Sequence, residues 1–474
     1  MKFYDRKTEL QELKTLKRIS TTKSVILVIT GVRRVGKTEL IKHFFEKNKG
    51  IYLYVDHEKT EKELLHDFMD VLTKERILPR FTKLESLEEL LTFLYTLAKK
   101  KHIMIAIDEF QRFLRVNPSF LNQMQKQFDL NKEKTNLFFM LTGSSMGMIK
   151  TIFQDKGSPL FGRSHNMITI KPFDFQTINT ILKDIGIESF EMRIMFYCLF
   201  GGIPKYYVLL NDYKCTTVEH ALKILLLRDI APLAKEVSII ITETFGKEAR
   251  TYHGILTAIA LGKTTSNEIA QFADIKETSI SPYLHDLIET LGLVEKRYPV
   301  TVTKPWKSKK GIYVLTDSFF KFWFKFIFRN SSLYEGGAYD ALFEKIKKEL
   351  NAFIGKNFEG LCKELFNLYS KQQGWSYTTI GSWWSRRGEE IDVVALNEEG
   401  KNIVFGECKW QTQVNARKLI VELKTKSKFV EWQNQTRNEV YVLFARSFRE
   451  KIDSFEGKKV YCFDIDDLKK IVTG

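Results

Sequence analysis

Cysteine is scarce in this 474-residue chain: there are five, at 198, 215, 362, 408 and 462. None falls in C-x-x-C spacing, so neither a disulfide framework nor a zinc site is indicated, and reduced thiols are expected. Long hydrophobic runs are missing too. No apolar stretch approaches the roughly 18 residues that a membrane span requires, and the start, MKFYDRKTELQELK, lacks an apolar targeting core. These absences predict a cytoplasmic protein with no membrane partner. Acid is in deficit: 58 Asp and Glu stand against 74 Lys and Arg, a formal net charge of +16. A balance this basic suits a polyanionic partner. At 44% hydrophobic and 28% charged, the chain reads as globular, and its length suggests about three or four domains.

What is present begins with Gly31-Val-Arg-Arg-Val-Gly-Lys-Thr38, which fits the phosphate-binding pattern G-x-x-x-x-G-K-[ST]. Residues 24–30 (SVILVIT) before it are β-branched and continuously apolar, as in a strand buried on both faces. Residues 38–47 after it place Leu40, Ile41, Phe44 and Phe45 at helical spacing. In a strand, loop, helix context, successive backbone N–H groups and the helix N-terminus face the phosphates. The expected ATP-binding segment is therefore Gly31, Val32, Arg33, Arg34, Val35, Gly36, Lys37, Thr38 and Glu39, with Lys37 reaching the terminal phosphates and Thr38 holding Mg²⁺. Residues 102–110 (HIMIAIDEF) read as a buried strand ending in two acids. Asp108 is placed for the Mg²⁺ shell and Glu109 for aligning or deprotonating the attacking water, a pairing that favours a hydrolytic ATPase over a kinase or GTPase. A third strand, 136–141, ends in Thr142-Gly-Ser-Ser145, which puts hydroxyls such as that of Ser144 where the γ-phosphate could be sensed.

Phe3-Tyr-Asp-Arg6 with Glu9-Leu10, then GVRRVGKT, IDEFQ, LTGSS and Ser158-Pro-Leu-Phe-Gly-Arg163 together resemble, in that order, the archaeal-type ATPases of the AAA+/STAND group. The resemblance covers the first half of the chain. It implies that Arg163 is an arginine finger or sensor, supplied in trans if subunits assemble into a homo-oligomer. It also implies that Gly202-Ile-Pro204 is a G-x-P element through which a helical lid touches adenine.

From about 175 to 237 apolar residues recur at helical spacing, which suits that lid. Helices are then expected over 254–261, from Thr265 with Glu268 three residues on, and over 278–291 with Pro282 in the first turn. A strand pair, 294–302 and 311–315, encloses the basic segment TKPWKSKK. That is the plan of a winged helix-turn-helix, with wing cations available to DNA phosphates. Between Lys296 and Arg329 lie nine basic residues and one acid, Asp317, so half the excess charge sits in 34 residues. The aromatic run 316–327 is expected to pack as a helix clamping domains.

After Gly336-Gly337 the pattern restarts. Residues 353–369 form an amphipathic helix carrying Glu359; 389–396 and 402–410 form a hairpin turning near 399. That register sets Asp392 opposite Glu407, with Lys409 on the same face as Glu407. Two facing carboxylates and a lysine suit Mg²⁺ beside a phosphodiester, with Asp392, Glu407 and the Cys408 carbonyl as ligands, Lys409 positioning or activating water, and Glu359 as a further ligand from the preceding helix. The spacing D-x14-E-x-K resembles the PD-(D/E)XK nucleases, with Ile391 where the motif name has Pro. The expected architecture is α/β: a P-loop ASCE/AAA+ core with a parallel sheet (1–172), a helical lid (173–240), a winged helix-turn-helix (241–335) and a restriction-endonuclease-like α/β domain (345–474). Two functions fit it. One is an ATP-hydrolysing protein that binds and cleaves DNA. The other is an ATP-dependent switch that binds DNA or protein, its nuclease fold silent.

Overall fold

The computed structural model describes residues 2–474. It divides into two compact units. The first comprises Met1–Pro172, Ile203–Lys205 and His285–Gly292; the second comprises Phe173–Gly202, Tyr206–Leu284 and Leu293–Gly474.

The first unit is built on five strands: β1 (Val25–Thr30), β2 (Ile51–Tyr54), β3 (Ile103–Asp108), β4 (Leu137–Gly143) and β5 (Asn166–Thr169). They lie in the order β2-β3-β4-β1-β5, and every pairing is parallel. The reason is visible in β1. Alternation sends Val25, Leu27 and Ile29 into one apolar core and Ile26 and Val28 into the other. A strand with apolar residues on both faces needs helices over both faces, and parallel crossovers supply them. Because β4 lies between β1 and β3, the C-terminal ends of three adjacent strands carry the phosphate loop, Asp108 and Thr142. Ligands of open parallel sheets collect at such strand ends.

The second unit opens with the helices Phe175–Asp184, Phe190–Phe200 and Val218–Leu225, in the segment expected to form a helical lid. Each is capped by a side chain, from Asp174, Ser189 and Thr217 respectively. Helices Glu236–Phe245, Ala249–Ala260 and Ser266–Phe272 follow, with helix Ile280–Glu289 belonging to this unit as far as Leu284, and then the hairpin β6 (Val294–Arg297) with β7 (Ile312–Leu315). Thr265 and Glu268 form a reciprocal capping box. The first wing strand stops at Arg297, short of the expected 302. Pro299 cannot donate to a ladder, and the Val300 N–H turns instead to the Ser382 carbonyl at 3.0 Å.

The aromatic segment Ser318–Ile327 joins the elements around it. Phe319 packs on Phe200 and Tyr206, while Phe322 and Phe326 meet Phe353. The helix expected at 353–369 extends over Tyr339–Gln372, because Leu342, Phe343, Ile346 and Leu350 continue its buried stripe.

That helix packs on a mixed sheet ordered β14-β15-β12-β10-β9-β8. Its strands are β8 (Thr379–Trp384), β9 (Glu390–Asn397), β10 (Asn402–Lys409), β12 (Asn438–Ala445), β14 (Ser454–Phe455) and β15 (Lys458–Phe463); β11 (Val414–Asn415) and β13 (Phe448–Glu450) form a separate pair. β9 and β10 are antiparallel, with Asn402 facing Asn397 and Gly406 facing Val393, the register expected of a turn near 399. β10, β12 and β15 run parallel, β10 and β12 joined by the crossover helix Ala416–Ser427.

Candidate functional sites

In the first unit the loop from Gly31 leads straight into helix Lys37–Glu46. Gly36 holds φ 98°, and a Cβ built there meets nothing within 4 Å, so the loop leaves open space beside its backbone where phosphates would sit. Lys37 is 6% exposed, and its ammonium donates to the carbonyls of Gly31 at 2.8 Å and Val32 at 3.1 Å. Burial lowers its pKa to about 8 against the opposing pull of Glu109 and Asp108. Arg6, from the N-terminal motif, braces the loop by donating to the Val35 carbonyl at 3.1 Å. Glu39 turns outward and pairs loosely with Lys42.

Asp108 is the hub. Its Oδ2 accepts from Thr38 at 2.8 Å and from the Tyr52 hydroxyl; its Oδ1 accepts from Thr142 and from the Glu109 N–H at 2.9 Å. Burial works against ionisation, but these donors outweigh it and hold the carboxyl below the usual aspartate range. Glu109 sits at φ 56°; Gln111 donates to it at 2.6 Å and Ser144 at 3.0 Å, and Arg112 lies 3.6 Å from the same carboxylate. Ser144 thus orients Glu109. Tyr52 escapes sequence reading because it acts from outside the motif strings; Gln111 closes the string IDEFQ, which by itself gives it no role. The donor set suits Mg²⁺: one ionised, hydrogen-bonded carboxylate beside the loop threonine.

Three residues implied by resemblance, Arg163, Gly202 and Pro204, have local structural partners or positions. Arg163 makes a forked pair with Asp129, with distances of 2.8 to 3.1 Å, and donates to the Phe161 carbonyl. Gly202 lies against the backbone of Phe173, where an added Cβ would be 2.0 Å from the carbonyl oxygen, and its own carbonyl accepts from the Phe173 N–H at 2.8 Å. That contact accounts for glycine without any ligand. Pro204 opens helix Pro204–Asp212, where its missing N–H costs nothing.

In the second unit, Glu359, Glu390 and Asp392 bring carboxylate oxygens within 4.8 Å of one another. Asp392 is 7% exposed and accepts from the Cys408 N–H at 2.9 Å. Burial, with Glu359 and Glu407 nearby, pushes its pKa to about 7; burial likewise raises Glu359, which Lys356 pairs at 2.9 Å. Carboxyls that resist joint ionisation are a donor set suited to a divalent cation. Glu407 stands apart from the expected ligand set: it is 5% exposed and held by Lys409 at 2.8 Å and Lys426 at 2.9 Å. Glu390 belongs to the group instead. The rule that joins Glu407 to Lys409 on one face joins Glu390 to Asp392 as well, so Glu390 was within reach of the sequence. Lys426 was not, since it arrives from the crossover helix. Lys363 donates to the Asp392 carbonyl at 3.1 Å and to Ser382 at 2.8 Å, tying the long helix to β8 and β9.

A five-stranded parallel sheet in this order, with a phosphate loop after β1 and an Asp-Glu pair after β3, defines a P-loop ATPase of the AAA+ type. Residues 3–210 match the family described as an ATPase domain predominantly from Archaea, and residues 323–420 match one described as archaeal and bacterial proteins of unknown function. The chain is 32% identical to the uncharacterized protein MJECL04 of Methanocaldococcus jannaschii over 98% of its own length and 100% of the relative's. It belongs to this archaeal-type ATPase family. Among solved structures, the Walker-type ATPase PABY2304 of Pyrococcus abyssi aligns with a TM-score of 0.54 at 20% identity, covering 68% of this chain and 96% of that one. The ORC2 protein of Aeropyrum pernix, in ADPNP and ADP complexes, aligns with a TM-score of 0.48 at 15% identity over 73% of this chain and 96% of that one. No helix among the described residues is long and apolar enough to cross a membrane.

Proposed function

We propose that this protein hydrolyses ATP in its first unit, binds DNA through its winged helix, and carries a nuclease-type site on its C-terminal sheet. In the first unit, Lys37 is placed to take the β- and γ-phosphates, and Thr38 with Asp108 would hold Mg²⁺, which would supply neutralisation of charge on the phosphates. Glu109, oriented by Gln111 and Ser144, accepts the proton of the attacking water. Arg163 is half-buried and paired with Asp129, so a role toward the nucleotide of a neighbouring copy would require it to leave that pair.

The observation that carries the nuclease reading is the meeting of Glu359, Glu390 and Asp392 within 4.8 Å, beside the Glu407–Lys409 pair. Bound Mg²⁺ would polarise a phosphodiester and lower the pKa of water there. The three carboxylates would hold it, and Lys409, kept protonated by Glu407, would meet the anionic phosphate. Purified protein should cut at least one of a panel of single-stranded, duplex, forked and four-way DNAs in Mg²⁺ or Mn²⁺, and Asp392→Ala and Lys409→Ala should each lower the rate by about 10²-fold or more. Cutting by Lys409→Ala as fast as wild type would sink the assignment.

A second reading is favoured by the ion pairs themselves. Lys356 bridges Glu359 and Glu390 at 2.9 and 3.2 Å, and two lysines hold Glu407. In that case the domain is a DNA-binding platform and the ATPase a switch. DNA affinity that differs between ADP and ATP, with no DNA on the panel cut, would select it.

A further inference from the structure

The wing is built into the C-terminal sheet. On one side of its loop the Val300 N–H donates to the Ser382 carbonyl at 3.0 Å, and Val300 packs against the apolar core beneath that sheet. On the other side the Trp384 indole N–H donates to the Lys310 carbonyl at 3.1 Å. Both anchors lie on β8, the edge strand next to β9. Trp384 is the register partner of Glu390, and the Ser382 hydroxyl donates to the Asp392 carbonyl at 2.9 Å. The loop between the anchors is therefore held one strand away from the segment that carries two of the three clustered carboxylates.

The chemistry of that loop is uniform. Residues 298–311 contain no acid and four lysines, Lys304, Lys307, Lys309 and Lys310, all exposed. None is ion-paired with another described residue. In their midst Trp306 is 76% exposed on the tight turn Pro305–Lys307, which Pro305 stiffens from its first position. An indole this exposed gains nothing from the fold. An aromatic face set among cations is how proteins hold unpaired bases: the ring stacks on a base while the cations take the flanking phosphates. Duplex DNA keeps its base faces covered, so the feature that separates this loop from a plain phosphate-tracking wing is its fit to a single strand.

Resting on the DNA-binding reading above, we propose that residues 301–310 hold an unpaired DNA strand beside the C-terminal carboxylates, with Trp306 stacked on a base and the four lysines on the phosphates. Fluorescence anisotropy with the full chain and fluorescein-labelled oligothymidine, a forked duplex and a blunt duplex tests this. Wild type should bind the first two more tightly than the blunt duplex. Trp306→Ala should weaken those two by about fivefold or more, leave the blunt duplex within about twofold, and melt as wild type does by circular dichroism. Trp306→Phe, which keeps a stacking face, should retain most of the affinity. If wild type binds DNA and Trp306→Ala binds all three probes equally well, this proposal is overturned and the DNA-binding reading stands. If wild type binds none of the three, both fall.

Discussion

Asp108 receives four hydrogen bonds, and three of their donors, Thr38, Tyr52 and Thr142, come from three different elements of the first unit. A carboxylate so served is ionised and fixed in direction before any cation arrives, which is what pre-organisation of a Mg²⁺ site requires. Glu109 is positioned separately, by Gln111 and Ser144, so the two acids have distinct duties. Accordingly Glu109→Gln should lower ATP turnover by about 10²–10⁴-fold while nucleotide binding persists, and Lys37→Ala should weaken both. Tyr52→Phe removes one charge-assisted bond from Asp108, worth about 1.5 kcal/mol, and should lower turnover by about tenfold. Phosphate release at saturating ATP and Mg²⁺ measures all three; normal turnover by Glu109→Gln would refute its role. Glu109 and Lys37 were legible in the motif strings. Tyr52 was not, because nothing in the short run Ile51–Tyr54 marks that hydroxyl for a carboxylate on the next strand.

Among the elements, the long helix Tyr339–Gln372 does the most. It contributes Glu359 to the carboxylate group, and one turn further on Glu364 turns toward the lid, accepting from the Phe175 N–H at 2.5 Å and the Tyr197 hydroxyl at 2.8 Å. Helices Phe175–Asp184 and Phe190–Phe200 are thus latched to the helix that bears Glu359. Tyr197→Phe should cost about 1.5–3 kcal/mol of stability, read as a lowered thermal transition of the full chain. The Glu364 carboxyl has a pH signature of its own, in which burial outweighs the two donors that favour its charged form. Burial raises the Glu364 pKa above its unfolded value, so the folded state binds the proton more tightly. Its contribution is complete below the ordinary glutamate range, about 4.3, and declines as pH rises through the folded value. Glu364→Gln should remove that decline, and an unaltered pH profile in the variant would exclude the Glu364 carboxyl as its source. The helix was foreseen over its second half only, since its first half packs on partners that sequence spacing does not reveal.

At the scale of the molecule, a net charge of +16 with half of it in 34 residues predicts DNA binding that weakens steeply with salt. Replacing Lys304, Lys307, Lys309 and Lys310 with serine should flatten the plot of log affinity against log salt by about 3. Anisotropy titrations across a salt series measure the slope, and one that stays the same would place the phosphate contacts elsewhere. Sequence alone determined the phosphate loop, the Asp-Glu pair, the hairpin register that sets Asp392 toward Glu407, and the basic wing. Each is encoded within a few residues, by apolar period, by turn position or by local composition. Tertiary structure decided which distant side chains meet: Glu359 with Glu390 and Asp392, Lys426 with Glu407, Arg163 with Asp129, and the wing with the edge of β8. Those encounters depend on how helices cross and which strands become neighbours, and packing of the whole core settles them where no local pattern can.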